Sequence, residues 1–432
     1  MKSKITNTFV VGFAVFAMLF GAGNLVFPPY LGMQSQSNWL WGFLGFAVMD
    51  VVLAVVVMNV IASKKDGADG IVGILGKHLS KVLMLALYIC IGPLVAIPRT
   101  AATTYELSIA PLLPKFNSII FSVIFFGLVL ILCIRPSKII DIIGAVLAPI
   151  LLITLGVLIV KGIMNPLGRI PAGGELYTSV HTGITTGYQT MDAIAALAFS
   201  IIIIAQVKDY KLKNKSEERK MIRHACYIAG IALVLIYGGL AYLGASVAGV
   251  YPKNISRTDI IINLAKDILG PAGLIVLAVI VAAACLTTAI GLVSSCAAYL
   301  EKFTNQKVSY KVHCTAVCIF SAVLCNVGLD NIIALAAPIL DFIYPILLIL
   351  IFLATMKESV VSRQARYGTI TGVIVFVSLQ LIENLTHVSA VTAHMPLASY
   401  GFAWVLPAAI GMIVGMIIGR IVPAREAMGY GN

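Results

Sequence analysis

Charge is scarce in this chain of 432 residues: Asp, Glu, Lys and Arg supply 11% of it, while 60% is hydrophobic. A soluble globular protein is about one quarter charged, because its surface must be covered with polar groups, so that class is excluded. Segments of roughly ten residues with alternating polarity, the mark of a membrane β-barrel, are also missing. The apolar runs instead continue for about twenty residues or more. With a mean hydropathy of +1.01, a bilayer is the solvent that fits. There every backbone N–H and C=O needs an internal partner, and long apolar runs meet that need as helices. The sequence therefore predicts an all-α membrane protein.

Other absences narrow the function. None of the eight cysteines (Cys90, Cys133, Cys226, Cys285, Cys296, Cys314, Cys318, Cys325) falls outside a predicted span, so no disulfide framework is implied. Lys2 and Lys4 precede an apolar run, but that run continues to Pro28 without an A-x-A cleavage pattern, and it reads as an uncleaved first helix. No H-E-x-x-H occurs, and the six histidines (His78, His181, His224, His313, His387, His394) sit in loops or near helix ends, which argues against a catalytic zinc at membrane depth. Gly70 to Lys77 imitates a phosphate-binding loop, yet Ile71 stands where the spacing needs glycine, and ATP-driven transport fails with it. Asp192 and Asp341 could be imagined as the acid pair of an intramembrane protease, but neither has the Tyr-Asp or Gly-x-Gly-Asp setting of that group. No enzyme and no organic cofactor are expected.

What is present is about twelve apolar spans, near 7–28, 39–63, 82–110, 117–134, 139–160, 182–206, 222–249, 272–300, 312–328, 331–356, 367–386 and 401–421. The formal charge of +12 invites a nucleic-acid reading, and the placement of the charges answers it. With the N-terminus inside, 23 of the 30 lysines and arginines fall in cytoplasmic segments, seven of them between Lys208 and Arg223, and 6 fall outside. Basic loops facing an anionic leaflet explain the balance without nucleic acid, and an even span count puts both termini in the cytoplasm. Localisation to the inner, or cytoplasmic, cell membrane follows.

Four places carry residues that a membrane helix avoids unless they are used. Helix 1 contains Phe20-Gly21-Ala22-Gly23-Asn24-Leu25-Val26-Phe27-Pro28-Pro29, whose glycines weaken the helix and let a ligand approach the backbone. A tight packing contact would need the same glycines. Helix 6 contains Gly187-Tyr188-Gln189-Thr190-Met191-Asp192, a polar string with a carboxylate at depth. Helix 3 contains Gly92-Pro93 and then Pro98-Arg99-Thr100-Ala101-Ala102-Thr103-Thr104-Tyr105-Glu106. Arg99, Thr103 and Glu106 share a helical face, and Arg99 either pairs with a carboxylate or meets the substrate. Helix 8 contains Ala284-Cys285-Leu286-Thr287-Thr288-Ala289-Ile290-Gly291, whose hydroxyls either return to their own helix or ligate a hard cation. Breaks in helices 1 and 6 occupy equivalent positions in two halves of five helices, as an inverted repeat requires.

These four stretches, in this order, resemble the branched-chain amino acid:cation symporter family of BrnQ-type carriers, and Tyr344-Pro345 after Pro338 adds to the likeness. The resemblance implies a LeuT-type fold of five helices, five inverted and two added. It implies a single transporter domain over 1–432, with repeat one at 1–163, repeat two at 178–356 and the last two helices at 365–422. It also implies import of leucine, isoleucine and valine with a cation, sodium favoured over a proton. Substrate would meet Gly21, Ala22, Gly23, Asn24, Tyr188, Gln189, Thr190 and Asp192, with Arg99 and Thr103 nearby and Leu25, Met191 and Ile194 against the apolar side chain. Sodium would be held by carbonyls near Ala17, Phe20 and Ala284 and by the Thr287 and Thr288 hydroxyls. Asp50 and Asp341 lie outside the family pattern, and a proton relay or a pairing with Arg99 is open to each. Expected partners are the amino acid and the lipid bilayer. Gly411, Gly415 and Gly419 read as a small-residue packing face, so no oligomeric state follows from them. Topology alone also admits a channel.

Overall fold

In the computed structural model, described for residues 2–64, 67–134, 139–356, 360–386 and 391–421, every regular element is helical. Lys65, Arg135, Lys138, Lys357, Arg425 and His387, used above for charge and metal arguments, lie outside the described residues. Helix α1 spans Lys2–Leu19 and α2 spans Ala22–Ser35. Helices α3 (Trp39–Ala47) and α4 (Leu53–Ser63) are joined by a wide π turn at Val48–Val52. Then come α5 (Lys77–Ile89), α6 (Ala96–Thr104), α7 (Ser118–Cys133), α8 (Ala148–Met164), α9 (Leu176–Gln189) and α10 (Asp192–Asp209). The last are α11 (Lys215–Ser246), α12 (Arg257–Leu269), α13 (Gly273–Phe303), α14 (Tyr310–Leu324), α15 (Leu329–Thr355), α16 (Arg363–Thr386) and α17 (Val405–Ile421). Among the described residues eight helical stretches are long and apolar enough to cross a membrane, and Ile5–Leu19, Ser118–Cys133, Asp341–Thr355 and Val405–Ile421 are shorter apolar helices.

The chain forms two compact units, one from Met1–Gly67 with Leu85–Ala334, the other from Ala68–Met84 with Leu335–Asn432. In the first, α1 and α2 pack on α11, α9 packs on α3, and α10 lies between α4 and α13. Close approach depends on glycine: a Cβ at Gly244 would meet the Pro29 carbonyl, and one at Gly32 the Ala241 carbonyl. In the second unit α16 and α17 form a helical pair. Gly411 faces Gly368 and Gly415 faces Gln364, so this small-residue face packs within the chain. All eight cysteines are buried and free.

Three helix starts near loops carry side-chain caps. Asn117, Asn214 and Ser256 accept from backbone N–H groups of Ile119, Glu217 and Asp259 at 2.8, 2.9 and 3.0 Å, each stabilising its helix by about 1 kcal/mol. Gly21 before α2 and Met191 before α10 offer no such cap. The N–H groups at those two starts are therefore left for something other than the chain's own caps. The third span, expected over 82–110 and marked by Gly92-Pro93, is broken as well, non-helical at Gly92 (φ −82°, ψ −114°) and widened into π turns at Cys90–Leu94 and Tyr105–Ile109. The second wide turn begins before Glu106, so the regular spacing that grouped it with Arg99 and Thr103 is interrupted there.

Candidate functional site

The two uncapped starts open on one narrow cavity of about 20 Å³, enough for a water molecule. Its wall comprises Met18, Leu19, Gly21 and Asn24 from the α1–α2 break, and Thr190, Met191, Asp192 and Ala195 from the α9–α10 break. Ile91, Ala96, Arg99 and Thr100 come from the broken third helix, and Thr288 and Leu292 from α13. At the first break Gly21 is extended (φ −104°, ψ −168°); at the second Met191 is left-handed (φ 70°, ψ 15°). The carbonyls that end α1 and α9 thus lie close to the N–H groups that start α2 and α10. That juxtaposition presents negative and positive helix ends to one ligand.

The wall divides by chemistry. Arg99 and Asp192 supply one charge of each sign, and electrostatically they act on one another. Met18, Leu19, Ile91, Ala96, Met191, Ala195 and Leu292 supply an apolar lining. Asn24 ties the charged side together: its Nδ2 donates to Asp192 Oδ2 at 2.8 Å and to the Tyr237 hydroxyl oxygen at 2.6 Å. Tyr237 is in turn stacked on Phe20, with ring centroids 5.6 Å apart, and meets Phe46 edge-on at 5.5 Å. Buried polar groups satisfied this way hold α2, α10 and α11 in one arrangement.

A second cluster joins α13 to the end of α1. Thr287 Oγ1 donates to the Ala17 carbonyl at 2.7 Å and to the Ala284 carbonyl at 2.9 Å, and Thr288 Oγ1 donates to the Met18 carbonyl at 3.0 Å. These hydroxyls reach across to another helix, beyond what ordinary back-bonding to their own turn would do. Hydroxyl oxygens and carbonyls in one place are the donor set of a hard monovalent cation, and a hydroxyl proton rotates away when its oxygen turns to the ion.

Of the residues singled out by sequence, Gly21, Asn24, Arg99, Thr190, Asp192 and Thr288 line the cavity, and Met191 lies among them. Gly23 does not line it, but a Cβ there would come within 3.1 Å of Phe27 Cε2 and 3.3 Å of Arg99 Nη2. Gln189 is exposed, and Thr103, Leu25 and Ile194 are buried away from the wall. Tyr188 is not part of the lining either, and the Ala22 side chain lies outside the described residues. Ala17, Ala284 and Thr287 meet in the second cluster, where Met18 supplies the carbonyl next to Thr288. Asp50 packs behind the wall beside Asn24, and Asp341 is exposed within its own unit.

Sequence reasoning missed the covers of this site. The Arg257 guanidinium lies 4.6 Å from the Tyr30 ring centre and 5.4 Å from that of Phe27, a cation–π arrangement just beyond Gly23. Toward the other end, Tyr88 and Tyr299 stack with centroids 4.2 Å apart, three residues before Ile91 and seven after Leu292. An arginine in a loop helix and two tyrosines in separate spans carry no shared local pattern.

A model of the family described as branched-chain amino acid transport protein matches residues 4–422. The chain belongs to that family. It is 34% identical over 435 residues to the branched-chain amino acid permease BraB of Bacillus subtilis, and the match covers 98% of each chain. Among solved structures, a Na⁺-coupled sialic acid symporter in a substrate-bound, outward-open state superposes with a TM-score of 0.64 at 13% identity, covering 96% of this chain and 90% of that one. Mhp1, a nucleobase-cation-symport-1 family transporter in a closed conformation, gives a TM-score of 0.59 at 14% identity over 97% and 94%. The fold is the LeuT type, as the resemblance implied, and the family and the relatives are transport proteins and not enzymes.

Proposed function

We propose that this protein imports leucine, isoleucine and valine by symport with sodium. The observation that carries the reading is the joining of two interrupted helices around one small cavity with a charged side and an apolar side. A zwitterion fits that division. Its carboxylate is drawn to Arg99 and to the free N–H groups at the starts of α2 and α10, and its ammonium to Asp192 and to the carbonyls ending α1 and α9. The aliphatic side chain then lies against Met18, Met191, Ala195 and Leu292. One methylene in such a lining is worth only about 1–3 kcal/mol, so the three branched-chain substrates share the site.

The coupling sodium would sit where Thr287 and Thr288 meet the carbonyls of Ala17, Met18 and Ala284, with Phe20 at the adjoining break. Neutral oxygens bind a monovalent ion without adding a charge to the bilayer. Because the ligands come from both α1 and α13, binding the ion fastens the broken helix to its neighbour and favours the shape that accepts substrate. A sodium ion entering down a tenfold gradient and 100 mV releases about 3.7 kcal/mol, which sustains several-hundred-fold accumulation. The inverted repeats would be 1–163 and 178–356, and the basic asymmetry supports cytoplasmic termini.

Counterflow of labelled leucine in proteoliposomes tests the transport reading. A carrier preloaded with unlabelled leucine draws in label against its gradient; equilibration without overshoot is what a channel gives, and it would refute the proposal.

A further inference from the structure

Two carboxyl groups meet behind the cavity wall. Asp192 Oδ2 accepts from Asn24 Nδ2 at 2.8 Å, and Asp50 Oδ1 lies 3.5 Å from the same nitrogen. The amide has two N–H bonds and three oxygens around it, and the nearer pair, on Asp192 and Tyr237, takes them. Asp50 is left with the longest contact. Its other oxygen, Oδ2, is buried without a hydrogen-bond partner, and the residue is 0% exposed. The two carboxyls thus converge on one amide nitrogen, Asp192 at 2.8 Å and Asp50 at 3.5 Å. A carboxylate only accepts, so a bond between two of them exists only when one carries a proton. Two ionised carboxylates at that distance out of water repel strongly, as in other carboxyl pairs that share one proton.

Charged and titratable groups facing this pair are few. Arg99 acts on Asp192 from α6, the Tyr237 phenol approaches from α11, and the Cys285 thiol of α13 lies near Arg99; Asn24 and Thr190 are neutral. With one proton on the pair and Arg99 charged, the wall is neutral overall. Without that proton it carries a net negative charge facing the carboxylate of an incoming zwitterion. We propose that Asp50 and Asp192 form a proton-binding site, and that the singly protonated pair is the form that accepts the amino acid. Asp192 lines the cavity and gives the proton its path; Asp50, behind it, is where the proton rests.

The inference rests on the branched-chain reading, and the test separates the two. Leucine binding to the purified protein is measured at saturating sodium from about pH 5 to about pH 9, a range in which buried carboxyls titrate while free leucine stays a zwitterion. The dissociation constant is expected to be flat at acid pH and to rise by about tenfold per pH unit once the pair loses its proton. In weakly buffered alkaline solution, adding leucine to the unaltered protein is expected to draw up to about one proton per molecule, read by a pH dye, and none at acid pH. Asp50→Asn, whose amide can donate to Asp192 as a protonated carboxyl does, is expected to abolish both the slope and the proton uptake, while Tyr237→Phe keeps them. Leucine binding with a flat profile and no proton uptake in the unaltered protein overturns the dyad alone. A slope lost in Tyr237→Phe and kept in Asp50→Asn overturns it too. Failure to bind leucine at any pH contradicts the branched-chain reading and this inference with it.

Discussion

The two interruptions that frame the cavity do the same work with opposite backbone solutions. At the first, the residue between helices is a glycine, yet its extended conformation is one that any residue adopts. What Gly21 provides is space: a Cβ there would lie 3.2 Å from Thr288 Oγ1. At the second, the residue that does need φ > 0 is Met191, which costs roughly 1–2 kcal/mol relative to an ordinary turn. Its 3% exposure shows that surrounding packing holds it there. The glycine-rich break brings α1 up against α13 and its hydroxyls, and the methionine break adds Met191 to the cavity lining. On the function proposed above, the first interruption serves the ion and the second the apolar side chain.

Substitutions at the two breaks sharpen this contrast. Gly23→Leu is expected to have the largest effect, abolishing leucine uptake while the protein stays inserted and monodisperse on size-exclusion chromatography, because the new side chain collides with Phe27 and Arg99. Thr287→Ala comes next: it removes the hydroxyl shared by the Ala17 and Ala284 carbonyls, and should raise the sodium concentration for half-maximal uptake by about tenfold, or about 1.4 kcal/mol. Thr288→Ala, with one bond to Met18, should raise it less, and neither should change leucine binding much at saturating sodium. Gly21→Ala is expected to weaken sodium activation only a few-fold, since Thr288 needs to yield by a few tenths of an ångström. Least affected should be Met191→Leu, which keeps volume and an unbranched Cβ. Met191→Ile, of similar volume but β-branched, should lose about 1–2 kcal/mol of stability by thermal unfolding. Equal stability of those two variants would mean that the left-handed turn is not what distinguishes the second break.

The fold was legible in the sequence because membrane helices are written in composition and because each break left a mark that lipid forbids. Gly21 and Gly23 announced the first break, and Asp192 announced the second, although the pivot beside it was invisible: nothing local marks a methionine for a left-handed turn. Arg99 and Thr288 stood out as polar residues in apolar spans. Met18, Ala195 and Leu292 did not, because an apolar residue facing a cavity looks in sequence like one facing lipid. Asp50 was visible as a charge but its role was not, since its meeting with Asp192 depends on a contact between residues 142 positions apart. The break in the span over 82–110 was legible too, since Gly92-Pro93 marks the place where the backbone leaves the helix.

The account stands most directly on one measurement, leucine uptake into proteoliposomes holding the purified protein under a sodium gradient imposed at fixed, equal pH. Concentrative uptake that collapses when the gradient is dissipated, and that Thr287→Ala shifts to higher sodium, is the expected result. No uptake under the sodium gradient, with uptake restored by a proton gradient alone, would contradict the sodium assignment.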